Sequence, residues 1–272
     1  MSFWNRFKRK VGGRVITFRP ESSSLDGTGA TAPKPAKHYI PDWYKKIPNR
    51  GPRGKKINPL TEEQDATVKN CVPLLDAFSS GYIQELNCDI SVDRSGPSVQ
   101  FIWPRQYPWE PVRPPRHPDS MKGFVSPKGY DENPFLWIQP FEFQLPAGYS
   151  LLITHPFNRN DLPFQTMSAI VDTDVFPLRA EITFYLRSDF SGVIPRGTPI
   201  FQAIPIKREE WSSVFEKYEE AHTLKYIALS RNVFGGAYKS NFWQKKKYGQ
   251  ADQQADPQAR CPVMHGGQED EL

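Results

Sequence analysis

Two aspartates one residue apart, Asp172 and Asp174 in "IVDTDVFPLRAEITFY", stand at the mouth of an alternating apolar stretch. On a strand, residues i and i+2 share a face, with Cα atoms roughly 6–7 Å apart. Carboxylates that near each other can bind Mg²⁺ or share a proton. A hydrolase would use one of them to orient water while the metal held phosphates. The same spacing also suits a strand corner, where each Asp accepts backbone N–H groups as in an Asx turn. On sequence both readings stay open.

Two other clusters carry reactive side chains. "THPFNRND" gathers His155, Asn158, Arg159, Asn160 and Asp161; a His beside an Asp can do acid–base chemistry, and the cluster can equally be the polar end of a hairpin. "RCPVMHGG" joins Cys261 to His265 at the spacing of half a metal site. A structural zinc site needs four ligands and this tail offers no further pair, so no metal site is assigned. Cys71 and Cys88 lie among apolar residues and read as small core side chains. Three cysteines without tight spacing point to reduced thiols in a cytosolic setting.

The elements that must position these groups are mostly extended. The chain has 272 residues with 27 Pro, 18 Phe, 11 Tyr and 7 Trp but only 38% hydrophobic residues, and prolines so widely spread favour short strands and loops over helices. "YIQELNCDISV" and "SVQFIW" alternate as strands around a turn at "DRSGP". "FLWIQPFEFQL", "YSLLITHPF", "AIVDTDVF", "AEITFYLRS" and "TPIFQAIPI" are five further strand candidates. In the fourth, Ile182, Phe184 and Leu186 point to one side. A short helix is predicted from near Pro73 to Gly81. A longer amphipathic helix is predicted over "REEWSSVFEKYEEAHTLKYIALSR", with Trp211, Phe215, Tyr218, His222 and Tyr226 on one stripe covering the sheet. The fold class is therefore mainly β, a β-sandwich or β-clip-like body with a covering C-terminal helix and long Pro-rich loops.

Charge divides the chain. Residues 1–56 hold fourteen Lys or Arg against three acids (Glu21, Asp26, Asp42), whereas the remainder holds 21 basic and 27 acidic residues. Residues 1–56 are read as a basic, aromatic arm and linker, 57–232 as the body and 233–272 as a polar, mobile tail. Trp4, Arg6 and Arg9 in the arm could meet nucleic-acid phosphates through residues 1–14, a membrane surface, or a neighbouring protein. Trp43 and Tyr44 form a Pro-bracketed anchor. Trp109 lies in "PRQYPWEPVRPPRHP", whose mix of Arg and aromatics suits a protein groove better than a run of phosphates. No apolar run approaches the roughly 20 residues a membrane span needs, and "MSFWNRFKRK" lacks the apolar stretch of a secretory signal.

Two resemblances follow from these motifs. "IPDWYKKIP", "TVKNCVPLLDAFSSGYI", "LPAGYSLLITHPFN", "IVDTD" and "IPRGTPIFQAIPIKR" together resemble a family of bacteriophage proteins, particularly from phages of marine bacteria. That resemblance implies origin, with the host cytoplasm or the virion as location, and no mechanism. Residues 145–206 are similar in strand order to the dUTPase and dCTP-deaminase superfamily, whose β-clip fold is typically trimeric with active sites between subunits. The similarity places Asp172 at the water-orienting Asp, and Gln202 at the end of a Gly-x-x-Ile-x-Gln pattern running through Gly197 and Ile200. Ala169 replaces the first Gly of the superfamily's pattern, Val175 stands where its Tyr belongs, and Arg179 falls out of register.

These readings lead to a non-enzymatic phage accessory or structural protein that works by assembly with itself or with other phage proteins. The alternatives are a Mg²⁺-dependent, dUTPase-like hydrolase using Asp172 and Asp174, with Arg179, Gln202, His155 and Asn158 as ligand contacts, or a nucleic-acid-binding protein. No cofactor is expected except Mg²⁺ for the hydrolase.

Overall fold

The computed structural model describes residues 14–20, 29–49, 67–115, 118–176, 181–230, 238–239 and 242–250. Trp4, Arg6, Arg9, Arg179, Cys261 and His265 lie outside the described residues.

Among the described residues the chain is mainly β, with fourteen strands paired antiparallel in four sheets. The largest sheet runs β11 (Ala169–Val171), β9 (Tyr149–Thr154), β14 (Pro199–Lys207), β3 (Tyr82–Glu85), β2 (Lys34–Pro35). A second runs β10 (Phe164–Thr166), β12 (Glu181–Leu186), β7 (Phe135–Ile138), β6 (Val112–Arg113). A third joins β13 (Gly192–Ile194), β4 (Ile90–Asp93) and β5 (Gln100–Ile102), and β1 (Thr17–Pro20) pairs with β8 (Phe141–Gln144).

One core unites these sheets into a sandwich-like body. Ile90, Trp137, Phe143, Leu151, Ile153, Phe164, Phe184, Ile194 and Phe201, drawn from all four sheets, are each at most 2% exposed and pack in a single cluster. The alternation read in β12 holds, since Ile182, Phe184 and Leu186 all face inward. Trp137 stacks on Phe184 with ring centroids 3.8 Å apart. Its indole N–H donates to Thr166 Oγ1 at 3.3 Å, and the Thr166 hydroxyl donates to the Ile200 carbonyl at 2.6 Å. A polar thread thus ties the second sheet to the first through a dry interior, where an unmade bond would cost about 1–3 kcal/mol.

The short helix α2 spans Val72–Ser79 with Pro73 in its first turn, as its sequence predicts; α1 is a single turn, Asp42–Lys46. Gly81 follows α2 at φ +70°, and a Cβ there would stand 2.2 Å from the Ala203 carbonyl oxygen, so only glycine lets β3 lie this close to β14.

Four expectations need correction. "FLWIQPFEFQL" is two strands in different sheets, because Pro140 has no N–H to continue a ladder and lies at the break. Strands β10 and β13 lie between the strand candidates of the sequence and belong to none of them, being only three residues each. Part of the region read as arm and linker is built into the body: β1 and β2 join sheets, Ala36 is buried and Phe18 meets Tyr82 and Phe143 edge-on, while Tyr44 is buried as an anchor would be. Finally, the covering helix is shorter than its pattern, and the first part of its stripe is left uncovered. Only Glu220–Ser230 (α3) is helical, and Trp211, Phe215 and Tyr218 lie before it, exposed by 87%, 100% and 75%. A short amphipathic segment gains most of its helical stability by packing its apolar side on a surface, and the body brings none to Trp211, Phe215 or Tyr218.

Part of the tail read as mobile is likewise held, since residues 242–250 reach back to the body. The Trp243 indole N–H and Lys246 Nζ both donate to Asp76 on α2, at 2.9 and 2.7 Å, and Tyr248 stacks edge-on against Tyr82.

Candidate functional site

The register of β14 on β9 places Lys207 opposite Tyr149, so Arg208, one residue beyond, arrives beside Gly148 at the corner that follows β11. Its guanidinium holds both candidate carboxylates. Arg208 Nη1 donates to Asp172 Oδ1 at 3.1 Å and to Asp174 Oδ1 at 2.9 Å, and Nη2 donates to Asp174 Oδ2. Ser150 Oγ donates to Asp172 at 2.6 Å, and the Gly148 N–H donates to Asp174 at 2.8 Å. The N–H groups of Val175 and Phe176 close the turn on the Asp172 carbonyl. The Asp174 side chain is 2% exposed; that of Asp172 is 56% exposed. The hydrogen bonds from Arg208, joined by the one from Gly148, outweigh desolvation and hold the Asp174 carboxyl at about 2. The same pairing pushes Arg208 up. Both carboxylates face a cation supplied by the chain itself. Among the described residues no group of three or more His, Cys, Asp or Glu is arranged to hold a metal ion.

His155, Asn158 and Gln202 belong to a different place. His155 Nδ1 accepts the Thr166 N–H at 3.2 Å, so Nε2 carries the proton and donates to the Arg159 carbonyl at 3.1 Å. Burial pushes this imidazole's pKa down, keeping it neutral. Asn158 takes the left-handed conformation, φ 59°, at the tip of the turn. Gln202 is buried, accepting the Phe157 N–H at 3.0 Å and donating to the Ala77 and Ser80 carbonyls at 3.0 and 2.6 Å. It fastens the end of α2 to the 155–158 turn, and that bonding fills the side chain's capacity on three sides. Ser150 and His155 mark opposite ends of β9, on the order of 17 Å apart at the strand rise. The six-residue strand separates the aspartates from the His155–Gln202 group.

The anchor residues divide as well. Tyr44 is 1% exposed, packed on Phe78 with Lys69 Nζ 4.6 Å from its ring centroid, whereas Trp43 remains 44% exposed. A neighbouring knot fixes residues 31–39 to β3. Glu85 accepts from Thr31 Oγ1 (2.5 Å), Lys34 Nζ (2.6 Å) and Tyr39 OH (2.5 Å). Burial alone would raise the Glu85 carboxyl, but these three donors together prevail and lower it.

Trp109 packs partly buried against the core rather than outward. Its Pro-rich loop nevertheless helps to form a groove of about 650 Å³, with Phe101, Trp103, Phe135 and Pro114 among its lining and Glu110 and Glu132 as acidic lining groups. Strands β5 and β6, each at the end of its sheet, contribute to it. Sequence reasoning missed this groove because three separate stretches of chain build it. It also missed Arg208, whose only signal is a basic residue at the end of the β14 apolar run.

Among the described residues no helix is long and apolar enough to cross a membrane. Compared with known proteins, the chain matches no family model and no curated protein.

Proposed function

We propose that this chain is a non-enzymatic accessory or structural protein, of the phage type its sequence resembles, which acts through protein–protein assembly. One observation carries the reading: Trp211, Val214, Phe215 and Tyr218 follow the end of β14 in a single row, exposed by 87, 82, 100 and 75%. Scattered exposed hydrophobics are ordinary, but four large ones within eight residues are a concentration of exposed apolar surface of the kind that marks an interaction site. The occupied state of the Asp172–Asp174 corner supports the same reading, since a carboxylate held by an arginine and a serine is poorly placed to activate water.

Sedimentation of the full chain provides the test. Assemblies heavier than one chain are expected, and they should be lost in the Trp211→Ser, Phe215→Ser double variant while near-UV dichroism of the body is retained. A wild-type chain that stays monomeric, or an assembly that the double variant leaves intact, overturns the proposal. A parallel assay with deoxynucleoside triphosphates and Mg²⁺ addresses the enzymatic reading. Pyrophosphate release that disappears in Asp172→Asn would replace assembly with hydrolysis as the function.

A further inference from the structure

Two oppositely charged aromatic stretches of the sequence adjoin residues at one corner of the body. On one side, Arg14 lies with its guanidinium carbon 4.7 Å from the centroid of the Tyr149 ring. On the other, Arg208 donates to the Tyr149 carbonyl at 3.0 Å, and its own N–H bonds to the Gly148 carbonyl at 2.9 Å. The stretch preceding this corner, residues 1–14, contains Arg6, Lys8, Arg9, Lys10 and Arg14, no acid, and the aromatics Phe3, Trp4 and Phe7. The stretch following it, residues 209–220, contains five glutamates against Lys217 alone, together with Trp211, Val214, Phe215 and Tyr218. Glu209 pairs with Lys207; Glu210, Glu216, Glu219 and Glu220 are exposed.

The apolar row of the acidic segment therefore needs a cover that is aromatic and positively charged. The groove near Phe101 does not suit it, because Glu110 and Glu132 would face the segment's own glutamates and like charges repel. The basic arm suits it on both counts. Building on the assembly reading above, we infer that the acidic aromatic segment 209–220 of one copy is clasped by the basic aromatic arm, residues 1–14, of a second copy of this chain. Aromatic contact would stabilise the clasp, and the opposed charges would set partner and orientation and speed encounter. Because Arg14 and Arg208 both contact Tyr149, two copies meeting at that corner can exchange arms reciprocally, the symmetric arrangement that closes a dimer.

Charge reversal in trans tests the inference with the full-length chain. One variant carries Glu210→Lys, Glu216→Lys, Glu219→Lys and Glu220→Lys. The other carries Arg6→Glu, Lys8→Glu, Arg9→Glu and Lys10→Glu. The wild type should assemble more weakly as salt rises, since exposed charges are screened beyond about 8 Å at physiological ionic strength. Each variant alone should be at least tenfold weaker in self-association. Mixing the two should restore a mixed assembly, detected by sedimentation with one variant fluorescently labelled. Recovery of the mixed species supports the clasp. If the wild type assembles but neither reversal weakens it, the clasp is wrong and the assembly reading survives. If the wild type is monomeric and the reversals change only fluorescence of Trp4 and Trp211 within one chain, the arm folds onto its own segment and the trans clasp is overturned. Monomeric wild type with no such change removes both the clasp and self-assembly.

Discussion

Trp137 and Phe184 stack at the centre of the body with no exposed surface, whereas Trp211 and Phe215, the same two residue types, stand almost wholly in solvent. Chemistry of the side chain does not separate them. Trp137 and Phe184 lie on strands whose alternation sends every second residue toward an opposing sheet, so the fold supplies the surface they need. Trp211 and Phe215 recur at helical spacing in a segment that has left the last strand of the sheet, where no opposing layer waits. An aromatic residue is buried when the topology brings something to bury it against. Where the topology fails to do so, the row is available to another molecule.

The sharpest way to break this comparison is to truncate one residue from each region. Phe184→Ala should lose about 3–5 kcal/mol of stability in urea denaturation, the usual cost of emptying an aromatic site in a close-packed core. Phe215→Ala, measured at a dilution where only single chains persist, should change stability by no more than about 0.5 kcal/mol. Equal losses would mean that the row is buried after all.

An intermediate effect is expected where a segment from outside the core is pinned by polar contacts instead of apolar ones. Glu85→Ala removes the acceptor shared by Thr31, Lys34 and Tyr39, and should cost about 1–3 kcal/mol, as leaving partly buried donors without their acceptor does. Amide exchange over residues 31–39 should accelerate more than exchange in β12. Uniform acceleration would show that this knot is not what fastens the segment.

The smallest effect, and the most conditional, belongs to the Asp174 corner. The carboxyl titrates near 2 in the folded chain and near 4 when unfolded, so its contribution is complete above pH 4 and lost as pH falls towards 2. Asp174→Asn should therefore be less stable than wild type at pH 7, and the gap should narrow between pH 4 and pH 2. A gap that is independent of pH would place the effect in packing. His155 runs on a different scale. Its pKa is lowered by burial, so the unfolded chain takes up a proton that the folded one refuses as pH drops below about 6.5. The stability lost over that range should be reduced in His155→Gln, in the same denaturation series.

Legibility in the sequence followed the same division. The alternation of "EITFYLR" and the Pro73-to-Gly81 helix could be read because local spacing and local breakers determine them. The mainly β class followed from the same signals. The aspartate pair was visible, but not its partner Arg208, since contacts 34 and 36 residues away depend on strand register. Gln202 was singled out by a motif, and only the fold reveals that its amide fastens α2 to a turn. The stripe from Trp211 to Tyr226 has a helical period in the sequence, yet a period states which face is apolar and says nothing of whether a surface will meet it.

Tyr82 receives Phe18 on one side and Tyr248 on the other, and its hydroxyl donates to the Gly249 carbonyl. Stretches of chain 230 positions apart therefore converge on one ring. During synthesis, a ribosome that has not yet passed residue 248 cannot deliver the second of these contacts. Until then β3 and α2 must wait with one flank open, and a nascent chain stalled before that point would present a surface that the finished protein conceals.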